Sequence, residues 1–315
     1  MNRSTRYAAF ALLLAFPVLA LARPPLIYHK VAEVAAHQGG TVKLVLSSHD
    51  VVVNVKTGDK VSVTTDIWAA TDSKDEKSRI IERYAPNVSE NGNDVVVRSP
   101  SHHGWHFSWG RSPQARVTIV MPPAMALDYH LGSGDFRFDN AGADTPIKGE
   151  SGSGDVFVTT ASKRLEIRAG SGDMRVGINN GSASTLLHTG SGDINFNGTT
   201  DRLNLEAGSG DVTVNDAVAK TAAITAGSGD VVAHWHKLEP GAMIKGSTGS
   251  GDVDMYFPAD TVISGRISTG SGDVNTDFPA LIHGSHHSYT LSGGDGAIQV
   301  DLGTGSGDVG LHKGG

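Results

Sequence analysis

Apolar and polar side chains alternate along most of the chain with a period of two residues, which is typical of half-buried β-strands. In the second half the alternation is clearest after an aspartate, as in Val-Thr-Val at 212–214 and Val-Asp-Met at 253–255. The same alternation precedes these aspartates, as in Leu-Asn-Leu at 203–205. The pattern therefore predicts pairs of short strands joined by a tight corner, with Val214 pointing inward and Thr213 outward.

The corner has a fixed sequence, Gly-Ser-Gly-Asp, which occurs nine times. A degenerate copy, Ser-Gly-Gly-Asp, occupies 292–295. With that copy included, eight successive aspartate separations lie between 18 and 22 residues, and the last is 13. Self-similarity at such a period indicates a stacked array. The aspartates of the nine exact copies, which we interpret as a structural turn motif, are Asp135, Asp155, Asp173, Asp193, Asp211, Asp230, Asp252, Asp273 and Asp308.

One strand pair cannot bury its own apolar face, but stacked pairs share a continuous core. We therefore predict an all-β fold, a β-solenoid built as a β-helix-like stack of repeats over 127–315. Ten rungs at a strand spacing of about 4.8 Å would form a rod on the order of 50 Å long. The segment 23–126 lacks the motif but keeps strand-like runs at 41–46, 51–55, 61–65, 94–98 and 116–121. We interpret it as an all-β N-terminal capping segment, and 76–85 as a charged surface loop more than a short helix.

The corner residues suit a turn, because glycine permits positive φ or close backbone approach while Ser and Asp bond nearby backbone N–H groups. Stacked aspartates about 4.8 Å apart would repel by roughly 0.9 kcal/mol in water, so donors or cations must neutralise them. Calcium-binding rolls repeat every nine residues or so, unlike this chain, and calcium needs six to eight oxygen ligands. We therefore favour structural turns over calcium sites.

The first residues predict export. Arg3 and Arg6 precede an apolar run that ends at Ala-Leu-Ala, 20–22, which resembles a signal peptide with its cleavage site, so the mature chain would begin near Arg23. No second apolar stretch follows, so we expect no transmembrane segment after cleavage. The chain contains no cysteine, which excludes disulfides. Losing the two arginines changes the net charge from −7 to −9, which does not favour nucleic acid.

Catalytic motifs for metal, serine, nucleotide or thiol chemistry are absent from the sequence, so we predict no enzyme activity and no cofactor. Aromatic and titratable side chains concentrate at 102–109, which makes this segment the candidate recognition loop. Two histidines at strand spacing form a weak candidate metal pair. These residues are His102, His103, Trp105, His106 and Trp109 for recognition, and His234 and His236 for metal.

The serial Gly-Ser-Gly-Asp-Val corners, together with Gly-Gly-Thr-Val-Lys-Leu at 39–44 and Val-Thr-Ile-Val-Met-Pro at 117–122, carry a family resemblance. The chain resembles the bacterial β-strand-repeat family of unknown function that is labelled "putative adhesin". The resemblance spans most of the mature chain. It implies the repetitive β fold and a setting in the cell envelope or in envelope-stress systems.

We therefore expect a non-catalytic exported envelope protein, periplasmic or at the cell surface, that acts as an adhesin-like binding module or a structural scaffold. Its partner would be an envelope protein or a glycan, since a repetitive surface gains avidity from many equivalent contacts. Two alternatives stay open. One is a carbohydrate-active β-helix enzyme, although near-identical aspartates are unlike a distinguished acid/base pair. The other is periplasmic metal binding by the histidines and the aspartates.

Overall fold

The protein is almost entirely β-structure. The computed structural model describes residues 24–100, 112–282 and 287–314. The first elements are β1 (Leu26–Ala35), β2 (Thr41–Leu46), β3 (Asp50–Val55), β4 (Lys60–Trp68), α1 (Lys74–Tyr84), β5 (Asn87–Asn91), β6 (Asp94–Arg98), β7 (Gln114–Met121), β8 (Ala126–Leu131), β9 (Phe136–Asn140), β10 (Ile147–Ser151), β11 (Val156–Thr160) and β12 (Arg164–Ala169).

The remaining elements are β13 (Met174–Thr189), β14 (Ile194–Ala207), β15 (Val212–Ala226), β16 (Val231–Trp235), β17 (Met243–Thr248), β18 (Val253–Phe257), β19 (Ile263–Thr269), β20 (Val274–Thr276), β21 (Ala280–Ile282), β22 (Ser288–Leu291), β23 (Ile298–Thr304) and β24 (Val309–Lys313). All of them join one hydrogen-bonded sheet. The prediction of an all-β, solenoid-like stack is confirmed.

The sheet folds at the Asp corners into two parallel ladders. The first ladder holds the strands before each corner, in the order β6-β2-β8-β10-β12-β13-β14-β15-β17-β23-β19. The second holds the strands after each corner, in the order β7-β3-β9-β11-β13-β14-β15-β16-β18-β24-β20. The long strands β13, β14 and β15 belong to both ladders. At about 4.8 Å per step the described coils span on the order of 50 Å.

The inner faces of the two ladders pack against each other and form one core. Alternate side chains of every strand point into it; Val214 is fully buried, whereas its neighbour Thr213 is half-buried on the outer face. Two inward glycines make room for large side chains, one on the paired strand of the same ladder and one on the opposite ladder. A Cβ on Gly149 would lie 2.1 Å from the Tyr129 ring, and a Cβ on Gly246 would lie 2.3 Å from the Met255 methyl.

The coils are not stacked in chain order at either end. At the N-terminal end the coil β2/β3 is inserted between β6/β7 and β8/β9. At the C-terminal end the last coil, β23/β24, lies between β17/β18 and β19/β20. The degenerate motif copy therefore makes no coil corner: β22 runs antiparallel to β19, and Asp295 lies in the turn before β23.

Antiparallel strands adjoin the first coil. β4 pairs with β7, and β1 pairs with β4, while β5 pairs with β6. The segment 23–126 thus supplies two coils and three antiparallel strands, and parallel pairing runs across residue 126 from β2 and β3 to β8 and β9.

The expectation of a loop at 76–85 is wrong, because the structure contains the helix α1. Ser73 is its N-cap and accepts a hydrogen bond from the Glu76 backbone N–H. Ser-Lys-Asp-Glu at 73–76 has the residue pattern of a capping box, and acidic residues occupy the first turn. This local signal favours a helix even though none of the helix residues is buried.

Candidate recognition face

The corner aspartates form a hydrogen-bonded column. In each corner after the first, the Asp backbone N–H donates to the Oδ1 of the aspartate in the coil before it in the stack, over 2.7–3.4 Å. The column follows the stacking order: Asp50, Asp135, Asp155, Asp173, Asp193, Asp211, Asp230, Asp252, Asp308 and Asp273. Backbone donors therefore partner one oxygen of each carboxylate, except in the terminal Asp273. Asp50 belongs to a Ser-Ser-His-Asp corner, which differs from the repeated motif because it contains neither glycine.

The corners require glycine because the backbones of neighbouring corners approach each other closely. A left-handed backbone conformation is not the reason, since none of the motif glycines in the described corners has a positive φ. A Cβ on Gly154 would lie 1.9 Å from the Gly134 carbonyl oxygen, and one on Gly210 would lie 2.1 Å from that of Gly192. Several corners are closed by a threonine before the motif. Thr248, for example, donates its hydroxyl to the Gly229 carbonyl at 2.7 Å and accepts the Gly251 N–H at 3.3 Å. The corners are thus rigid supports for the faces beside them.

The outer side of the second ladder, which we call the second-ladder face, presents two rows of side chains that run along the stack. In the row nearer the corners, the successive side chains are Val52, Arg137, Phe157, Arg175, Asn195, Thr213, Val232 and Asp254. In the second row they are Asn54, Asp139, Thr159, Gly177, Asn197, Asn215, His234, Tyr256 and His312.

Two arginines sandwich an aromatic ring in the first of these rows. The Arg137 and Arg175 guanidinium carbons lie 5.0 Å and 5.4 Å from the centroid of the Phe157 ring. Both arginines are exposed. Arg175 Nη2 is 3.8 Å from Asp173 Oδ2, whereas within the described residues no carboxylate lies within ion-pair distance of Arg137. The sandwich therefore holds two cationic groups at a fixed separation along the stack.

A depression lies beside the sandwich, because Gly177 contributes no side chain to the second row. It measures about 270 Å³ and is bordered by Arg137, Phe157, Arg175, Asn195 and Asn197. A second, wider groove of about 620 Å³ continues from Asn197 toward Asp216 and His236. Guanidinium and amide groups thus line the two adjoining depressions, together with the carboxylates of Asp139 in the first and Asp216 in the second.

Stacked rings occupy the C-terminal part of the second row. The Tyr256 ring lies 4.2 Å from that of His234 and 4.6 Å from that of His312, and both pairs are stacked. His312 Nε2 is 3.1 Å from Asp254 Oδ1. A Cβ on Gly310 would lie 2.1 Å from that oxygen and 2.4 Å from that nitrogen, so this glycine lets the imidazole reach the carboxylate.

The two histidines of the candidate metal pair have different partners. His234 stacks on Tyr256, whereas His236 Nδ1 lies 2.8 Å from Asp216 Oδ1. Over 24–100, 112–282 and 287–314 no group of three or more His, Cys, Asp or Glu residues is arranged to hold a metal ion. The candidate loop residues His102, His103, Trp105, His106 and Trp109 lie outside the described residues. In the described part of the chain, no helix has the length and hydropathy of a membrane-spanning helix.

A family model described as Toastrack DUF4097 matches residues 41–312, which is most of the chain. The chain belongs to this family. No curated protein matches the chain. Family membership agrees with the resemblance seen in the sequence and with the stacked β fold.

Several solved structures resemble the fold. A "putative lipid binding protein" from Parabacteroides distasonis is 12% identical, with a TM-score of 0.49 over 91% of this chain and 97% of its own. A "putative adhesin" from Bacteroides fragilis is 10% identical, with a TM-score of 0.45 over the same shares. A "putative cell adhesion protein" from Clostridium sporogenes is 11% identical, with a TM-score of 0.27 over 91% of this chain and 99% of its own.

Proposed function

We propose that the protein is an exported, non-catalytic envelope protein, an adhesin-like binding module or scaffold, and that its second-ladder face binds an acidic polysaccharide. The observation that carries the proposal is the Arg137–Phe157–Arg175 sandwich beside the depression over Gly177. Guanidinium groups suit carboxylate and sulfate, and amides at Asn195 and Asn197 suit sugar hydroxyls.

The stack favours an elongated ligand. Both rows run parallel to the stack axis, and the two adjoining depressions continue over several coils toward His236. Because the corners are held by the aspartate column, the face is preorganised and little conformational entropy is lost on binding. Weak contacts repeated along one polymer would then add through avidity.

Equivalent aspartates support a non-catalytic role. Acid/base hydrolysis of a glycan needs one distinguished pair of carboxyl groups with different environments. The column instead repeats one arrangement, with the Asp211 and Asp230 backbone N–H groups each donating over 2.9 Å to the aspartate of the preceding coil. We infer a structural role for these residues.

The proposal includes three further parts that follow from the sequence. Residues 1–22 would be removed on export to the periplasm or cell surface. The segment 23–126 would cover the first motif-bearing coil, and its antiparallel strands β4 and β1 support this. The segment 102–109 would provide a second contact, anchored by Trp105 and Trp109.

The test is binding of alginate oligosaccharides, a polyuronate, to the chain without residues 1–22. Arg137→Ala combined with Arg175→Ala should lower the affinity at least tenfold. The matched control is Arg164→Ala with Arg202→Ala, because these exposed arginines lie two coils apart in the first ladder, with Ser184 between them in place of an aromatic ring. It removes the same charge at the same spacing.

Equal losses in the two double variants would mean that net charge and not the sandwich governs binding. Absence of alginate binding by the unmodified chain, or equal binding of neutral dextran, would reject the acidic polysaccharide. Equal binding of poly-glutamate would point to an acidic polypeptide as the ligand and would also reject the proposal.

The contribution of the loop is tested separately. Trp105→Ala with Trp109→Ala should weaken binding to isolated envelopes while leaving the β-type circular dichroism unchanged. Unfolding of this variant would show that the aromatic rings are part of the core, and normal binding by a folded variant would leave the repeats as the contact surface.

A further inference from the structure

The strand β1 presents a long free edge. One of its edges pairs with β4 from Leu26 to Ala35, and in the described residues no strand pairs with the other. None of its ten residues is buried, and Leu26 and Val31 are each 50% exposed. An edge of this kind carries a row of unpaired backbone N–H and C=O groups.

Other edges of the stack are short by comparison. β20 and β21, near the C-terminal end, are three residues each, and β5 is five. Proteins commonly protect an edge by shortening it or by adding proline, bulges or lysine. β1 has one lysine, Lys30, and a register irregularity only at its first residues. It is therefore suited to β-sheet extension by another strand.

We propose that the partner of this edge is β1 of a second copy of the chain, paired antiparallel about a two-fold axis at Val31. The positions of the polar side chains along β1 favour this partner. With Val31 opposite itself, His29 of one copy faces Glu33 of the other, and this pairing occurs twice by symmetry. Within each copy His29 Nδ1 lies 2.7 Å from Asp66 Oδ1, and Glu33 Oε2 accepts a hydrogen bond from Lys60 Nζ at 2.8 Å. The second ring nitrogen of His29, Nε2, and the second oxygen of Glu33, Oε1, would then meet between the copies on one face of the extended sheet.

The register follows from strand geometry. Successive residues point their N–H and C=O groups to opposite edges, so a symmetric antiparallel pair joins residues whose numbers differ by an even amount. An axis at Lys30 would place two lysines opposite each other, and like charges so placed repel. An axis at Ala32 would place Glu33 opposite Val31. Only the axis at Val31 pairs the charged Glu33 with the His29 donor.

The extended sheet would join two stacks through their β1–β4 strands. Because the contact is chiefly one pair of strands, the interface is small and the dimer should be weak and reversible. This inference does not depend on the polysaccharide proposal, because β1 and the sandwich are on different strands.

The absence of native cysteine allows a direct test by single-cysteine crosslinking. Facing Cα atoms in an antiparallel pair lie about 4.5–5.5 Å apart, within the range of a disulfide. Val31→Cys in the chain without residues 1–22 should therefore form a disulfide-linked dimer at least tenfold faster than Lys30→Cys under the same oxidant. The two Lys30 positions would be offset by two residues, or about 7 Å along the strand. The matched control is Thr225→Cys, an exposed strand residue in the first ladder.

Sedimentation velocity provides the second readout. The unmodified chain should show concentration-dependent dimerisation, and Val31→Lys should abolish it, whereas Thr225→Lys should not. The proposal is overturned if the unmodified chain stays monomeric at several hundred micromolar. It is equally overturned if Val31→Cys crosslinks no faster than Thr225→Cys. If Lys30→Cys crosslinks faster than Val31→Cys, the proposed register is rejected.

Discussion

Replacing a corner glycine with alanine should destabilise the stack through one well-defined clash. A Cβ on Gly154 would lie 1.9 Å from the Gly134 carbonyl oxygen, 2.4 Å from its carbon and 3.0 Å from its nitrogen. Contacts under 3.0 Å to a Cβ are essentially never observed, so the two corners must separate by at least 1.1 Å. The added Cβ is fixed to the backbone at residue 154, and the atoms it meets belong to the Gly134 backbone. No side-chain rotation can therefore relieve the contact.

That separation breaks the hydrogen bonds that join the two corners. The Ser153 N–H to Gly132 O bond and the Asp155 N–H to Asp135 Oδ1 bond are both 3.1 Å long, and the Phe136 N–H to Asp155 O bond is 2.8 Å long. Lengthening them by 1.1 Å takes all three beyond hydrogen-bond distance. At about 0.5–1.5 kcal/mol for each of the three bonds, Gly154→Ala should lower the free energy of unfolding by roughly 1.5–4.5 kcal/mol.

Urea denaturation followed by far-ultraviolet circular dichroism would measure the change. The matched control is Gly142→Ala, because a Cβ there meets nothing within 4 Å and its φ is not in the left-handed region. This variant should be unchanged or more stable by less than about 1 kcal/mol, since alanine restricts the unfolded chain. Equal stability of the two variants would refute the close-approach explanation of the corner.

Three further outcomes are expected. Val214→Asp should cost about 3–5 kcal/mol because it buries an unpaired charge, whereas Thr213→Asp on the outer face should cost little; equal costs would contradict the inward assignment. Burial lowers the pKa of His49 from its ordinary 6.5, so the unfolded chain binds more protons and stability should fall as the pH drops below about 6.5; His49→Gln should flatten that slope in denaturation at pH 7 and pH 5. Melting temperatures in calcium and in chelator should agree within a few degrees, since backbone N–H groups hold the column; a larger rise with calcium would reject structural turns.

Strand positions could be predicted well from the sequence. β2 and β6 have the expected bounds, and the alternation around each motif identifies the inward residues. The alternation of apolar and polar residues predicts the strands, and the near-constant repeat length predicts one coil per repeat. The solenoid-like architecture therefore follows from the local sequence pattern. Strand β1 was not predicted, because its alternation is weak and none of its residues is buried.

The order of the coils could not be predicted, because equivalent repeats satisfy any neighbour equally well. The 13-residue step before Asp308 was a sign of irregularity, but it did not indicate that the last coil pairs with β17/β18. The Asp50 corner was missed for a related reason. There, Ser47 and His49 occupy the positions of the two glycines, and the coil on the side that their Cβ atoms would approach, β6/β7, has no Gly-Ser-Gly-Asp sequence between its strands.

The candidate site was only partly visible in the sequence. Arg137, Phe157 and Arg175 are about 20 residues apart, and only the stacking register makes them neighbours. Their common two-residue offset could have revealed the row, since each is the second residue after a corner aspartate. Residues 102–109 remain a prediction.

The out-of-order coils at the two ends affect how the molecule comes apart. A stack assembled in chain order frays by losing its terminal repeat, which has only one neighbour. Here β2/β3 and β23/β24 each have a neighbour on both sides, so removing either coil must disrupt two interfaces at once, although β1, which pairs only with β4, can detach alone. Their docking also closes long loops, which slows folding. We expect a stack that assembles slowly and, once assembled, resists loss of the coils β2/β3 and β23/β24.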